Sequence, residues 1–481
     1  MKNMTLRAIA DACKGTIYYD DNNIATKTEA DSVVIDSRKV TRGGVFIATV
    51  GERVDGHSFI PAVFEAGALG VVCEKLPKEP VGPCILVEDS FKALRDIAAY
   101  YRNQLNCIVI GITGSVGKTS TKEFIATVLA QKYKVCKTIG NFNNEVGMPL
   151  TILSAREDDD ILVLEMGISH FGEMERMSAI ARPDMAVITN IANCHTEFLG
   201  DRDGVLKAKT AIFTGMRAGS TVFLNGDDDK LATVTKAQGV KPVFYGFGGR
   251  MRSFDYHVEG YAMRGLFGSD AVLVSHMTGE TIPVSIKLPG EHMLYNALAA
   301  TALGERLGLI PRQIAAGISN VAATAGRGYI VKGNKYTIID DCYNANPSAM
   351  KSAIKLISLA DTRKVAILGD MFELGENSLK LHREVGEAAG RTGIDVIICV
   401  GEQSDAMYKG ALFELGESVS SKRYGEDGDD GDYEGVRLIY FKDKEGLKSQ
   451  LPSILHEDDS ILIKASHGMG FGEIVDMLKE A

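Results

Sequence analysis

The sequence predicts an α/β protein divided into three domains, and three observations carry that expectation. The 481 residues are about three times a usual domain length of roughly 150, while a single hydrophobic core rarely grows past about 250 to 300 residues. Short apolar strand patterns alternate with amphipathic helix patterns along the whole chain. A glycine-rich loop, Gly111 to Ser120, stands between an apolar strand and a helix. Hydrophobic residues make up 45 % and charged residues 24 %, the balance of a globular chain that buries a sizeable core. The net charge of -10, with no long basic stripe, argues against nucleic acid as a partner. No stretch reaches the roughly 18 apolar residues of a membrane span, so a cytoplasmic address is expected; a monomer is expected as well.

Residues 1–103 read as a small α/β domain. Strand candidates run Ser32 to Ile35, Val45 to Ala48, Gly70 to Cys73 and Cys84 to Val87, with helices around Phe59 to Ala66 and Phe91 to Arg102. In residues 104–326 the buried-strand candidates Cys107 to Ile110, Ile161 to Leu164 and Met185 to Thr189 are separated by helical segments. That order implies a mainly parallel sheet with its ligands at the C-terminal ends of the strands. Residues 327–481 repeat the rhythm, with strands at Val365 to Leu368, Val396 to Val400, Arg437 to Phe441 and Ile461 to Ile463. The acidic, glycine-rich segment Tyr424 to Gly435 reads as a solvated loop. The 8 cysteines are widely spaced, without a CxxC pair, and read as reduced core or loop thiols rather than as a metal site or disulfide framework.

The loop Gly111-Ile112-Thr113-Gly114-Ser115-Val116-Gly117-Lys118-Thr119-Ser120 carries the most chemistry. Glycines let its backbone N–H groups turn toward phosphate oxygens, and the following helix adds its dipole. Lys118 supplies charge, and the Thr119 hydroxyl suits Mg2+. The general pattern wants glycine six positions before the lysine, where this chain has Ile112. Glu165 ends an apolar strand and places a carboxylate at the same rim, where a hard cation bridging phosphates would sit. His195 lies just beyond the next strand, and Lys209 follows in Lys207-Ala208-Lys209-Thr210. A nucleoside triphosphate site is the natural reading; a glycine-rich turn without phosphate is the alternative.

Gly111 through Ser120 resembles the phosphate loop of the Mur ligases, ATP-dependent amide-forming enzymes, in which Ile112 is expected. The resemblance extends over Asp36-Ser37-Arg38, Asp55-Gly56-His57-Ser58-Phe59, Gly140-Asn141-Phe142-Asn143-Asn144-Glu145-Val146-Gly147, Glu165-Met166-Gly167, Asn190 with His195, Gly290-Glu291-His292 with Asn296, Gly326-Arg327, Asp341-Cys342-Tyr343-Asn344-Ala345-Asn346-Pro347 and Gly369-Asp370-Met371-Phe372-Glu373-Leu374-Gly375. It points to the branch that joins D-alanyl-D-alanine to UDP-N-acetylmuramoyl-tripeptide in peptidoglycan synthesis. The resemblance implies an N-terminal domain for the UDP end of the substrate, a central P-loop ATPase and a Rossmann-like C-terminal domain for the incoming dipeptide. It implies ATP contacts from Gly114, Ser115, Val116, Gly117, Lys118, Thr119, Ser120, Asn296 and Arg327. It implies one Mg2+ held by Thr119 and Glu165, a second with His195 as a ligand, a carbamylated Lys209, and Asp341 approaching the nucleotide as the domains close. Ser37 and Arg38 would belong to the uridine site, and Asn143 and Asn144 would line the muramyl-peptide channel.

The chain departs from the family pattern in two places. Thr210-Ala211 follows Lys209 where an acid is usual, and Lys464-Ala465-Ser466-His467 stands where a pattern ending in arginine is typical. The second change leaves open which dipeptide or depsipeptide is accepted. A sibling ligase adding one amino acid usually carries Asp-Asn-Pro-Arg, which does not occur here, and folate-glutamate ligases lack the Asp36-Ser37-Arg38 block. A nucleotide-switched binding protein would share the loop, but would release phosphate without either co-substrate.

Overall fold

The computed structural model describes residues 1–20, 23, 26–52, 54–79, 81–248, 254–416, 422–424, 428–433 and 435–481. Three sheets follow one another along the chain. The first has the order Thr16–Tyr18, Cys84–Leu86, Gly70–Cys73, Val45–Ile47, Val33–Val34. It is parallel except for its first pair.

The second sheet contains the phosphate-loop strand Ile108–Thr113, flanked in parallel by Ile161–Glu165 and Met185–Ile188. Register pairs Ile112 with Glu165 and Thr113 with Ile188. Three strand ends therefore open onto one edge, where ligands bind in parallel α/β sheets. Val135–Lys137 adds one parallel edge, and Thr221–Asn225 and Val243–Gly246 extend the other. Beyond them Tyr256–Met263, Ser269–Ser275 and Thr281–Ile286 form an antiparallel meander that the sequence reading did not anticipate.

The third sheet runs Tyr329–Lys332, Thr337–Asp340, Ser460–Lys464, Lys364–Gly369, Val396–Val400, Val436–Phe441, Gly428–Tyr433, Lys422–Tyr424. Its centre is parallel. The segment expected to be a solvated loop at Tyr424 to Gly435 instead contributes the strand Gly428–Tyr433, antiparallel to Val436–Phe441; residues 425–427 and 434 of that segment lie outside the described residues. Backbone pairing to a neighbouring strand whose centre, Leu438 and Ile439, is buried overrides the low strand preference of Asp and Gly.

The cores are not divided as the sheets are. One continuous apolar cluster runs from Met4, Leu6 and Ile97 through Met148 and Leu164 to Leu224, joining the first sheet to one face of the second. The other face of the second sheet packs on the helices Lys118–Leu129 and His292–Arg306 through Phe124, Ile125, Leu298 and Leu303. The third sheet has a separate cluster on each face. All eight cysteines are free thiols, six of them buried. Among the described residues, no helix is long and apolar enough to cross a membrane.

Candidate active site

The loop's departure from the general glycine spacing has a packing cause. A Cβ at Gly111 would stand 2.9 Å from Ile212 Cδ1 and 3.1 Å from Met166 Sδ, so the glycine belongs there. Ile112 is still strand, fully buried in the core beneath the helix. The chain turns at Gly114, where φ is 148° and a Cβ would stand 1.9 Å from Thr189 Oγ1. It enters the helix at Gly117, where φ is 84°. The strand end beside it fixes the loop. Val116 N donates to Asn190 Oδ1 at 2.9 Å, Asn190 Nδ2 donates to Val116 O at 3.0 Å, and Ser115 N donates to Asn190 O at 3.0 Å.

Glu165 is fully buried. Its carboxylate accepts from Thr119 Oγ1 at 2.9 and 3.0 Å and from Asn143 Nδ2 at 2.8 Å. Lys122, 1 % exposed, holds its Nζ 3.8 Å from Glu165 Oε2, 3.2 Å from Glu123 Oε1 and 2.8 Å from Thr138 O. Hydrogen bonds and a neighbouring cation of this kind offset the cost of burying a carboxylate. The sequence reading missed Lys122; its spacing three residues past Thr119, one helical turn on, was the available signal.

Cations gather around the loop. Lys118 Nζ donates to Gly114 O at 2.8 Å and Ser115 O at 3.4 Å. Burial, with the charge of Lys209 adding to it, lowers the Lys118 pKa to about 8. Lys209 is 1 % exposed, and burial lowers its pKa as well. Among the described residues its ammonium makes no hydrogen bond. Lys209 and Arg327 thus each add positive charge to the surroundings of Lys118, an arrangement that a polyanion relieves.

The loop opens into a cavity of about 760 Å³ between the second and third sheets. Of the residues singled out from the sequence, Ser115, Val116, Gly117, Lys118, Ser120, Asn143, Asn144, Glu165, His195, Asn296, Arg327 and Asp341 line it. Gly114, Thr119 and Lys209 sit behind that lining. Ser37 and Arg38 are not part of it: Arg38 is exposed and forms a two-pronged pair with Asp36 at 2.9 Å, which holds the Asp36 carboxyl below its ordinary range. Asn296 accepts from Thr121 Oγ1 at 2.8 Å. Asp341 meets the buried Lys464, Oδ2 to Nζ 2.7 Å. The far wall adds Asp227 and Tyr295, which the sequence reading did not single out, with Tyr295 Oη donating to Asp227 Oδ2 at 3.1 Å.

His195 meets Glu373 of the third sheet's domain, Nδ1 against Oε2, and this contact holds the Glu373 carboxyl below its ordinary range. Both residues take left-handed backbone, φ 52° and 61°, a conformation that side chains beyond Cα disfavour and that concentrates at working sites. Asp370 has a structural task. It accepts from Ser404 N at 2.7 Å and Ser404 Oγ at 2.6 Å, at the start of the helix Ser404–Leu415.

Three family models match in succession: "Mur ligase family, catalytic domain" over residues 29–102, "Mur ligase middle domain" over 112–304, and "Mur ligase, glutamate ligase domain" over 326–467. The UDP-N-acetylmuramoyl-tripeptide--D-alanyl-D-alanine ligase of Bacillus subtilis (strain 168) is 36 % identical over 488 aligned residues, covering 100 % of this chain and 99 % of that protein. The chain belongs to the Mur ligase family. The protein of the same name from Escherichia coli (strain K12) is 32 % identical over 100 % of this chain and 99 % of its own length. A crystal structure of MurF from Acinetobacter baumannii superposes with a TM-score of 0.85 at 26 % identity, covering 99 % of both chains. A MurF ligase from Thermotoga maritima in complex with ADP superposes with a TM-score of 0.77 at 27 % identity, covering 93 % of this chain and 97 % of that one.

Proposed function

We propose that this Mur ligase joins D-alanyl-D-alanine to the terminal carboxylate of UDP-N-acetylmuramoyl-tripeptide, converting ATP to ADP and phosphate and making the pentapeptide precursor of peptidoglycan. The observation that carries the reading is one cleft that brings Lys118 and Glu165 from the second sheet together with Arg327 and Asp341 from the third, in a chain that aligns end to end with enzymes of that name. Residues 1–103 hold the uridine end through Ser37 and Arg38, 104–326 hold ATP, and 327–481 present the dipeptide.

A carboxylate is a poor electrophile because its charge is delocalised. In this reading its oxygen attacks the γ-phosphorus, the bond to the β-phosphate oxygen breaks, and ADP leaves. The dipeptide amine then attacks the acyl carbon, a tetrahedral intermediate forms, and phosphate departs with the former carboxylate oxygen. Lys118 releases the loop carbonyls to meet the phosphates, Arg327 adds a second cation, and Asn296 borders the nucleotide. Asp341, fixed by Lys464, faces the cleft from the side where the dipeptide arrives.

The donors fit magnesium. Thr119 and Glu165 offer a hydroxyl and a buried carboxylate, both hard oxygens, beside the loop where phosphate oxygens would complete the shell. Thr119 and Glu165 would hold one Mg2+, and His195, with Lys209 as its carbamate, a second. A Mg2+ held there would supply positive charge to offset that of the transferred phosphoryl group. Carbamate formation needs an uncharged amine, which burial of Lys209 favours.

The test is ligation by the purified chain with ATP, magnesium, UDP-N-acetylmuramoyl-tripeptides and a panel of D,D-dipeptides, with products identified by mass. ADP and pentapeptide should form together, and only with both co-substrates. Phosphate release that needs neither would overturn the reading.

A further inference from the structure

Arg327 sits on the segment Gly326-Arg327-Gly328, where the chain passes from the second sheet's domain to the third. Both glycines have positive φ, 74° and 65°. Gly326 is tied to the third domain twice: its N donates to the buried Asp340 Oδ2 at 3.0 Å, and its O accepts from Tyr343 N at 3.1 Å. A Cβ at Gly326 would stand 3.2 Å from Tyr343 Cβ, so glycine permits this close approach. The approach lays the Arg327 guanidinium over the Tyr343 ring, with Cζ 4.0 Å from its centroid. The His467 ring lies 5.7 Å from the Tyr343 ring between centroids.

Among the described residues Arg327 makes no ion pair with a carboxylate, although it lines the cleft beside Lys118. An arginine stacked on an aromatic face keeps its planar fork of donors in a fixed plane and free for an anion, and phosphate matches that fork. We propose that Tyr343 is a positioning residue for the nucleotide: its ring holds the Arg327 guanidinium at the cleft wall so that the fork meets the phosphates. This rests on reading the cleft as the ATP site. The contact uses the face of the ring, and no hydrogen bond of the phenol is needed.

The experiment measures ADP and adenosine affinity by calorimetry on the full-length chain. Tyr343→Leu should weaken ADP roughly 2- to 30-fold, the range of an exposed to a desolvated cation–π contact, and leave adenosine unchanged because adenosine carries no phosphate. Tyr343→Phe should restore ADP binding, and adding Tyr343→Leu to Arg327→Ala should cost nothing further. Equal weakening of ADP and adenosine, or no weakening of ADP, would overturn the proposal, because a merely structural ring would not separate the two ligands. If the unaltered chain binds neither ligand, the nucleotide reading fails, and the inference falls with it.

Discussion

The middle domain meets its two neighbours in opposite ways. Toward the N-terminal domain the interface is a shared apolar core, with Tyr101 fully buried and its hydroxyl on Ala155 O at 2.8 Å, and Arg102 Nε on Ala181 O at 2.9 Å. Toward the C-terminal domain the contacts are mostly polar: His195 with Glu373, Thr196 Oγ1 on Leu374 O at 3.3 Å, Lys355 with Glu291 at 3.2 Å and the cleft between them, with Leu266 packing on the edge of the C-terminal core and Lys332 over the Phe267 ring. Burial of apolar surface gives most of the stability of an interface, whereas exposed ion pairs give about 0–1 kcal/mol each. The first interface therefore behaves as the inside of one folded unit, and the second as a joint. The cleft lies in the joint, where the glycine-flanked Arg327 connects the two sides.

That contrast predicts a separation between losses of activity and losses of stability. Lys118→Ala, on the cleft, should lower ligation by roughly 10³-fold or more while thermal unfolding stays where it was; near-normal turnover would remove Lys118 from the phosphate site. Tyr101→Ala, in the shared core, should destabilise the chain by about 3–5 kcal/mol in denaturant titration, with the activity of the remaining folded enzyme preserved. If instead it left stability unchanged, the two domains would not be one unit. The smallest effect is one of shape. Small-angle scattering should show contraction when an ATP analogue and the nucleotide tripeptide bind together, as a polar joint allows; an unaltered profile would make the two interfaces alike.

The sequence disclosed the middle of the molecule better than its edges. Ile161–Glu165 and Ile108–Thr113 are buried along nearly their whole length, so they read as continuous apolar runs, and the loop between strand and helix has a motif of its own. The meander at Tyr256–Met263 has one end buried and the other exposed, which spoils both the continuous and the alternating pattern. Strands as short as Val33–Val34 offer too little periodicity to bound. In the site, Thr119 and Glu165 were legible because Thr119 lies in the first turn of a helix and Glu165 ends a strand. Lys122 was not, since a lysine on a helix ordinarily faces water, and only the fold shows that Glu165 and Thr138 wait behind it. Contacts such as His195 with Glu373 join residues far apart in the chain, and no local pattern announces them.

In the proposed reaction, phosphate is transferred to the tripeptide's carboxylate before the peptide bond forms. The most direct measurement labels that carboxylate with oxygen-18 and follows the label through one round of ligation. The phosphate released should carry one labelled oxygen. Unlabelled phosphate, accompanied by normal peptide formation, would contradict it.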